Sequence, residues 1–372
     1  MKTKILRVIL FFITIFLIPV LTFSGKKEMV SYNENKVLAE LPVFSIENWK
    51  NRSFMTGMAD FFSDHFVFRE GFISFKNSIE KIIGKNEING VIEFNGNLIQ
   101  TFRNVDYSLT DRNLAALNNL KNKNSDIPFY FMPVITAQEK FNINLPLYLD
   151  VSSESEYTEY CFNKLNNVKC IDVSREICSI DYSFYRTDHH WTTGAAYEAY
   201  TVASEHLGLT PFAENHFNIS DVSNDFKGTL YSKTLNEKIK HDTITVYKTD
   251  TEYKLTVKDK TYDSLYFDEF LELKDKYSYF LSGNYGICTI ENQSINIEKK
   301  LLIIKDSYAN CFVPFLAEHY SEITLVDPRY CSYIQTKDIN PSEYSGVLVL
   351  FNVSGFAEEQ NFALIEFMGD KE

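Results

Sequence analysis

The segment Arg186-Thr187-Asp188-His189-His190-Trp191-Thr192 sets a carboxylate, two imidazoles and an indole side by side. Asp188 and His190 are one residue apart, so within a turn the carboxylate can fold back onto the imidazole and fix its tautomer. Histidine suits proton transfer near neutral pH because its reference pKa is about 6.5. Such a pair lacks only a nucleophile. One stands far downstream, where the apolar run Leu301-Leu302-Ile303-Ile304 ends in Lys305-Asp306-Ser307. A serine hydroxyl needs a base to become nucleophilic, so Asp188, His190 and Ser307 are the candidate catalytic set of a hydrolase or acyltransferase. Gly283 and Asn284 can add a backbone and an amide donor for an oxyanion, although Gly-Asn also reads as a plain turn. Arg186 can position an anionic or sugar substrate, or pair with a nearby acid. Asp188, His189 and His190 also suit a metal such as zinc or iron, but adjacent histidines rarely point the same way and no further ligand cluster is evident. Trp191 reads as a packing wedge. Asp64-His65 reads as a capping acid and a packing histidine at a helix break.

The elements around these residues follow an α/β pattern. Leu301–Lys305 reads as a strand, which puts Ser307 just beyond its carboxyl end, where open α/β sheets place their ligands. Thr192 or Thr193 can cap a helix running to about Gly208, so the Asp-His turn lies in the loop before it. Other strands are predicted at residues 129–134, 168–173, 323–326 and 346–351, and helices at about 111–121, 154–165 and 312–319. Gly90 to Ile99 reads as a hairpin turning at Asn95-Gly96. Residues 48–83 show apolar residues at helical spacing, read as two amphipathic helices interrupted near 64–69. Alternation of strands and helices predicts a doubly wound, mainly parallel α/β sheet. Residues 212–280 are rich in Thr and Tyr and read as a β-rich insertion.

At 372 residues, with 45% hydrophobic and 23% charged residues, the chain can bury a large core and is neither disordered nor membrane-embedded throughout. A net charge of -13 argues against nucleic acid as a partner, because phosphate backbones are held by clustered Lys and Arg. Lys2, Lys4 and Arg7 precede the apolar run Val8–Phe23, with Lys26 and Lys27 after it. This pattern reads as an uncleaved signal anchor or a cleaved signal peptide over 1–25. A linker over 26–47, a helical segment over 48–89 and the α/β domain over 90–372 follow. The bulk of the chain is expected outside the cytoplasm, tethered to the membrane or secreted. Disulfides are therefore permitted for the six cysteines, whose spacing matches no zinc site. No cofactor is expected.

At Asp188-His189-His190-Trp191 the chain resembles the bacterial DHHW proteins, named for that tetrad. The resemblance runs through Asp64–Arg69, Leu301–Pro314, Asp327-Pro328-Arg329-Tyr330 and the end segment from Gly346. The DHHW proteins are in turn similar to the SGNH-hydrolase-like domains of the alginate O-acetylation proteins, which carry a D-x-H motif before a helix and a serine turn near the C-terminus. The resemblance implies an SGNH-like fold with Asp188 as orienting acid, His190 as base and Ser307 as nucleophile. It implies O-acetyltransferase or acetylesterase activity on a cell-surface polysaccharide, with a membrane acyl-donor protein as a further partner. Ordinary SGNH esterases place the serine first and use D-x-x-H; here the order is reversed and the spacing is one residue shorter. The competing class is a non-catalytic surface protein that keeps the fold and binds glycan.

Overall fold

Phe129–Val134, Lys300–Lys305 and Val347–Asn352 are nearly continuous apolar runs, the composition of strands covered on both faces. The computed structural model, which describes residues 2–24, 29–31, 36–146 and 149–370, builds these runs into the middle of one sheet. Its strands are β1 (Phe129–Val134), β2 (Lys169–Cys170), β3 (Tyr253–Val257), β4 (Lys260–Tyr262), β5 (Ile287–Asn292), β6 (Lys300–Lys305), β7 (Glu322–Val326) and β8 (Val347–Asn352). Their order is β4-β3-β5-β7-β6-β8-β1-β2. The strands from β7 to β2 in that order are parallel, whereas β5, β3 and β4 add an antiparallel edge. The fold is mixed α/β on a large mixed sheet.

Successive strand residues point to opposite faces, and the core divides accordingly. Leu301, Ile303, Leu348, Leu350, Tyr130 and Met132 enter one apolar cluster, together with Ala195, Ala199 and Ala203 of the helix Thr193–His206. Leu302, Ile304, Val347, Val349, Phe129 and Phe131 enter the other, with Leu114, Leu117 and Leu120 of the helix Tyr107–Lys123. That helix begins where the Asp106 side chain accepts from the N–H groups of Ser108 and Leu109.

Several expectations change. The segment 212–280 is not wholly a separate insertion: only the hairpin Asn218–Phe226 with Asp242–Lys248 lies outside the main sheet, while β3 and β4 extend it. They attach through β5, a strand the sequence reading passed over because its polar residues break the apolar run. Its burial nevertheless alternates, as a strand in a mixed environment should. The strand expected over 168–173 is paired only at Lys169–Cys170, at the sheet's edge. The helix expected over 312–319 is shorter, a 3-10 turn at Ser307–Cys311 followed by Val313–Ala317 with Pro314 in its first turn.

The chain forms two compact units, one of residues up to Asn89 with Tyr231–Lys238, the other of Gly90–Leu230 with Ile239–Glu372. The sheet belongs to the second. In the first, the expected helical pair is Ser53–Asp64 and Arg69–Ile82, broken at Phe68, whose φ is 60°. Asp64 Oδ2 accepts from Ala39 N and His65 Nε2 bonds Ala39 O, both at 2.9 Å, so these side chains clasp the main chain ahead of the helices. The N-terminal apolar segment is helical over Lys2–Phe12, Ile13–Leu17 and Ile18–Ser24. Among the described residues no helix is long and apolar enough to cross a membrane; Lys26 and Lys27 lie outside the described residues.

Candidate active site

Ser307 is delivered by β6. The strand ends at Lys305, and Asp306 starts the next turn by accepting from Tyr308 N through Oδ1 at 2.9 Å. Its other oxygen accepts from the main-chain and side-chain nitrogens of Asn352, at the end of the neighbouring β8, at 2.8 and 2.6 Å. Burial pushes the Asp306 carboxyl up, against the pull of Arg329 and these N–H donors. Gly355 is required beside this knot, because a Cβ there would stand 2.8 Å from Asp306 Oδ2. Ser307 is thus the first residue of the turn, and the first N–H of a helical turn has no acceptor within it.

His190 and Asp188 come from the loop ahead of the helix Thr193–His206, which Thr192 caps by accepting from Ala195 N. Asp188 Oδ1 lies 2.5 Å from His190 Nδ1, and His190 Nε2 lies 2.8 Å from Ser307 Oγ. The second Asp188 oxygen accepts from Thr229 N at 2.7 Å and Thr229 Oγ1 at 3.0 Å. Burial alone would raise the Asp188 carboxyl, but His189, His190 and the Thr229 N–H outweigh it and hold it well below the usual carboxylate range. Gly228 makes the approach possible: a Cβ there would sit 2.2 Å from Asp188 Cβ. The loop's own main chain is held by buried Asp242, which accepts from Arg186 N, Thr187 N and Tyr182 OH at 2.7, 2.8 and 2.6 Å. His190 and Ser307 are only 5% and 7% exposed, so both side chains are largely withdrawn from bulk water.

Tyr277 forms the floor. Its ring stacks on the His190 imidazole at 3.7 Å with 13° between planes, and its hydroxyl donates to Ser307 O at 3.2 Å. One side chain therefore touches both the His190 ring and the main chain of Ser307.

The family model for DHHW proteins matches residues 96–326, a stretch that contains Asp188, His190, Tyr277 and Ser307. The chain belongs to the DHHW family. Among solved structures it is similar to a DHHW family protein from Eubacterium siraeum, with 25% identity and a TM-score of 0.65 over 77% of this chain and 98% of that one. It is also similar to Bacillus cereus PatB1, determined with a sulfonyl adduct, with 20% identity and a TM-score of 0.61 over 75% of this chain and 99% of that one. The O-acetyltransferase domain of Pseudomonas putida AlgJ aligns with 13% identity and a TM-score of 0.44, over 74% of this chain and 98% of that one. No curated protein matches the sequence.

Within the DHHW tetrad the four side chains do different things. Trp191 is fully buried and donates from Nε1 to Tyr308 O at 2.9 Å, while Tyr308 OH donates to His189 O, so the tetrad is laced to the serine turn. His189 lies against His190, ring centroids 3.9 Å apart, and its Nδ1 is 2.8 Å from Thr229 Oγ1. Donor atoms of Asp188, His189 and His190 fall within 4.8 Å of one another, a spacing open to a metal ion; in the arrangement described, both nitrogens of His190 are already hydrogen-bonded. Arg186 lies 3.7 Å from Asp242 and 4.4 Å over the Tyr182 ring, which makes it an ion-pair and stacking partner. Gly283 and Asn284 present acceptors here: Asn310 Nδ2 reaches both Gly283 O and Asn284 Oδ1, and buried Lys305 donates to Asn284 Oδ1 at 3.2 Å and Asn310 Oδ1 at 2.6 Å.

The sequence reading missed Gly228, Thr229, Asp242 and Tyr277. A Gly-Thr pair, a lone Asp and a Tyr among many carry no local signature.

Proposed function

We propose that this DHHW protein is an exported, membrane-tethered serine acyl-ester enzyme of SGNH-like, doubly wound architecture. It acts as an O-acetyltransferase or acetylesterase on a cell-surface polysaccharide, by the triad Ser307, His190 and Asp188. The observation that carries this reading is the 2.8 Å contact between His190 Nε2 and Ser307 Oγ, continued at 2.5 Å to Asp188. Ser307 Oγ attacks the acyl carbon while its proton passes to His190 Nε2, and the imidazolium is held by Asp188. The oxyanion is met by the Ser307 N–H at the head of its turn. His190 then returns its proton to the leaving oxygen, leaving an acyl-serine. In the second half His190 deprotonates water or a sugar hydroxyl, which attacks the acyl carbon and frees Ser307 Oγ to take the proton back.

Labelling tests this directly. A sulfonyl fluoride or fluorophosphonate is expected to modify Ser307, as mapped by peptide mass spectrometry. Ser307→Ala should lose both label and acetyl-ester turnover; turnover that persists in Ser307→Ala overturns the reading. In the glycan-binding alternative the wild-type chain binds polysaccharide equally with His190→Ala and turns over no acetyl ester.

A further inference from the structure

The helix Arg69–Ile82 turns a polar face inward. Its buried residue is Asn77, whose Nδ2 donates to Thr234 O at 2.9 Å within the same compact unit. At 3.6 residues per turn, Phe68, Phe72, Phe75, Ile79, Ile82 and Ile83 fall within an arc of about 100° on the side opposite Asn77. All six are exposed, from 42% at Ile79 to 82% at Ile82. Single exposed apolar residues need no explanation, but a continuous stripe marks a contact.

That stripe joins a second apolar surface. Next to Phe68, Val67 N donates to Thr22 Oγ1 at 3.2 Å, and Phe23 packs on Phe61 and Phe62 at 5.9 and 6.1 Å. The end of the helical run Lys2–Ser24, with Leu6, Phe11 and Phe16 all exposed, is therefore fixed where the stripe begins. Charge is local too. In a chain of net charge -13, residues 69–85 carry Arg69, Lys76, Lys81 and Lys85 against Glu70 and Glu80. Lys76 and Lys85 both pair with Glu80, at 3.6 and 2.9 Å, and the segment keeps a net positive charge beside its apolar stripe, the make-up of a helix lying in the plane of an anionic lipid surface.

We propose that the stripe Phe68–Ile83 is a membrane-interface contact, in which the helix Arg69–Ile82 lies flat on an anionic bilayer beside the N-terminal segment. The proposal rests on the tethered reading above and adds a second attachment to it. The 4-3-4-3 spacing of the stripe also suits a partner helix from a second copy. Such pairing would face two cationic helices toward each other and leave the adjoining N-terminal surface uncovered.

The test uses the full chain with exposed Cys178 changed to Ser, a nitroxide at Ile82→Cys, and a control nitroxide at Asp259→Cys on the tip between β3 and β4. Vesicles of phosphatidylcholine with phosphatidylglycerol are compared with phosphatidylcholine alone. On anionic vesicles the label at 82 should be shielded from a water-soluble nickel chelate and reached by oxygen, with the reverse at 259. Adding Phe72→Asp and Phe75→Asp should return the label at 82 to water while the chain still floats with the vesicles. A floating chain whose label at 82 stays in water overturns this proposal alone. A chain that does not float overturns the tethered reading as well. Short label-to-label distances at 82 that are independent of lipid would assign the stripe to a second copy and overturn the membrane contact.

Discussion

Gly228 bears on Asp188 from outside the proposed catalytic set. Any side chain there collides with Asp188, so Gly228→Ala should tilt the carboxylate away from His190 while leaving the sheet intact. A displacement of about 1 Å in such a site is worth on the order of 10²-fold in rate; kcat measured beside an unchanged far-UV spectrum checks it. Tyr277 separates two effects. Tyr277→Phe keeps the ring under His190 and loses only the hydroxyl's bonds to Ser307 O and Cys311 Sγ, whereas Tyr277→Leu loses the stack. An aromatic contact of this kind is worth about 0.5–1.5 kcal/mol, so Leu should lower kcat by roughly tenfold and Phe by less. Equal losses in the two variants would place Tyr277's role in its hydroxyl.

Among the elements, the helix Glu154–Lys164 carries a buried titration. Its first residue, Glu154, is fully buried and accepts from Thr136 N at 2.6 Å and Thr136 Oγ1 at 2.5 Å; burial pushes its carboxyl up to about 7, against those donors. A folded-state value above the unfolded one means that the protonated form is favoured by folding. This contribution is fully present at acid pH and is lost as pH rises from about 4.5 through about 7. The shift corresponds to about 3 kcal/mol at most. Glu154→Gln should flatten the fall in stability over that window, as read by urea midpoints at pH 5 and pH 7.5. The same scale explains what was legible in the sequence. That Asp188, His190 and Ser307 come together could be anticipated because each sits at a boundary that local chemistry marks, the Thr192 cap and the end of an apolar strand. The strand β5 was hidden because it is half-buried and its neighbours in space, β3 and β7, lie far off in sequence. Thr229 and Asp242 reach the Asp-His turn through the fold alone, and nothing beside them in sequence announces it.

For the molecule as a whole, two chain-distant segments meet because the sheet fixes one and the helix Thr193–His206 holds the other against the same core. All six cysteines are free, with Cys161, Cys288 and Cys311 buried, and the large core makes cross-links unnecessary. The melting temperature should therefore be unchanged by a reducing agent; a drop would reveal a cross-link. Trp191 has an optical consequence. The chain has two tryptophans: Trp49 is 55% exposed, and Trp191 is sealed at 0%, adjacent to His190 and bonded to the carbonyl of Tyr308, next to Ser307. Its blue-shifted emission would stand apart from that of Trp49, so the acylation and deacylation proposed for Ser307 could be timed by light from the protein itself, without a coloured substrate.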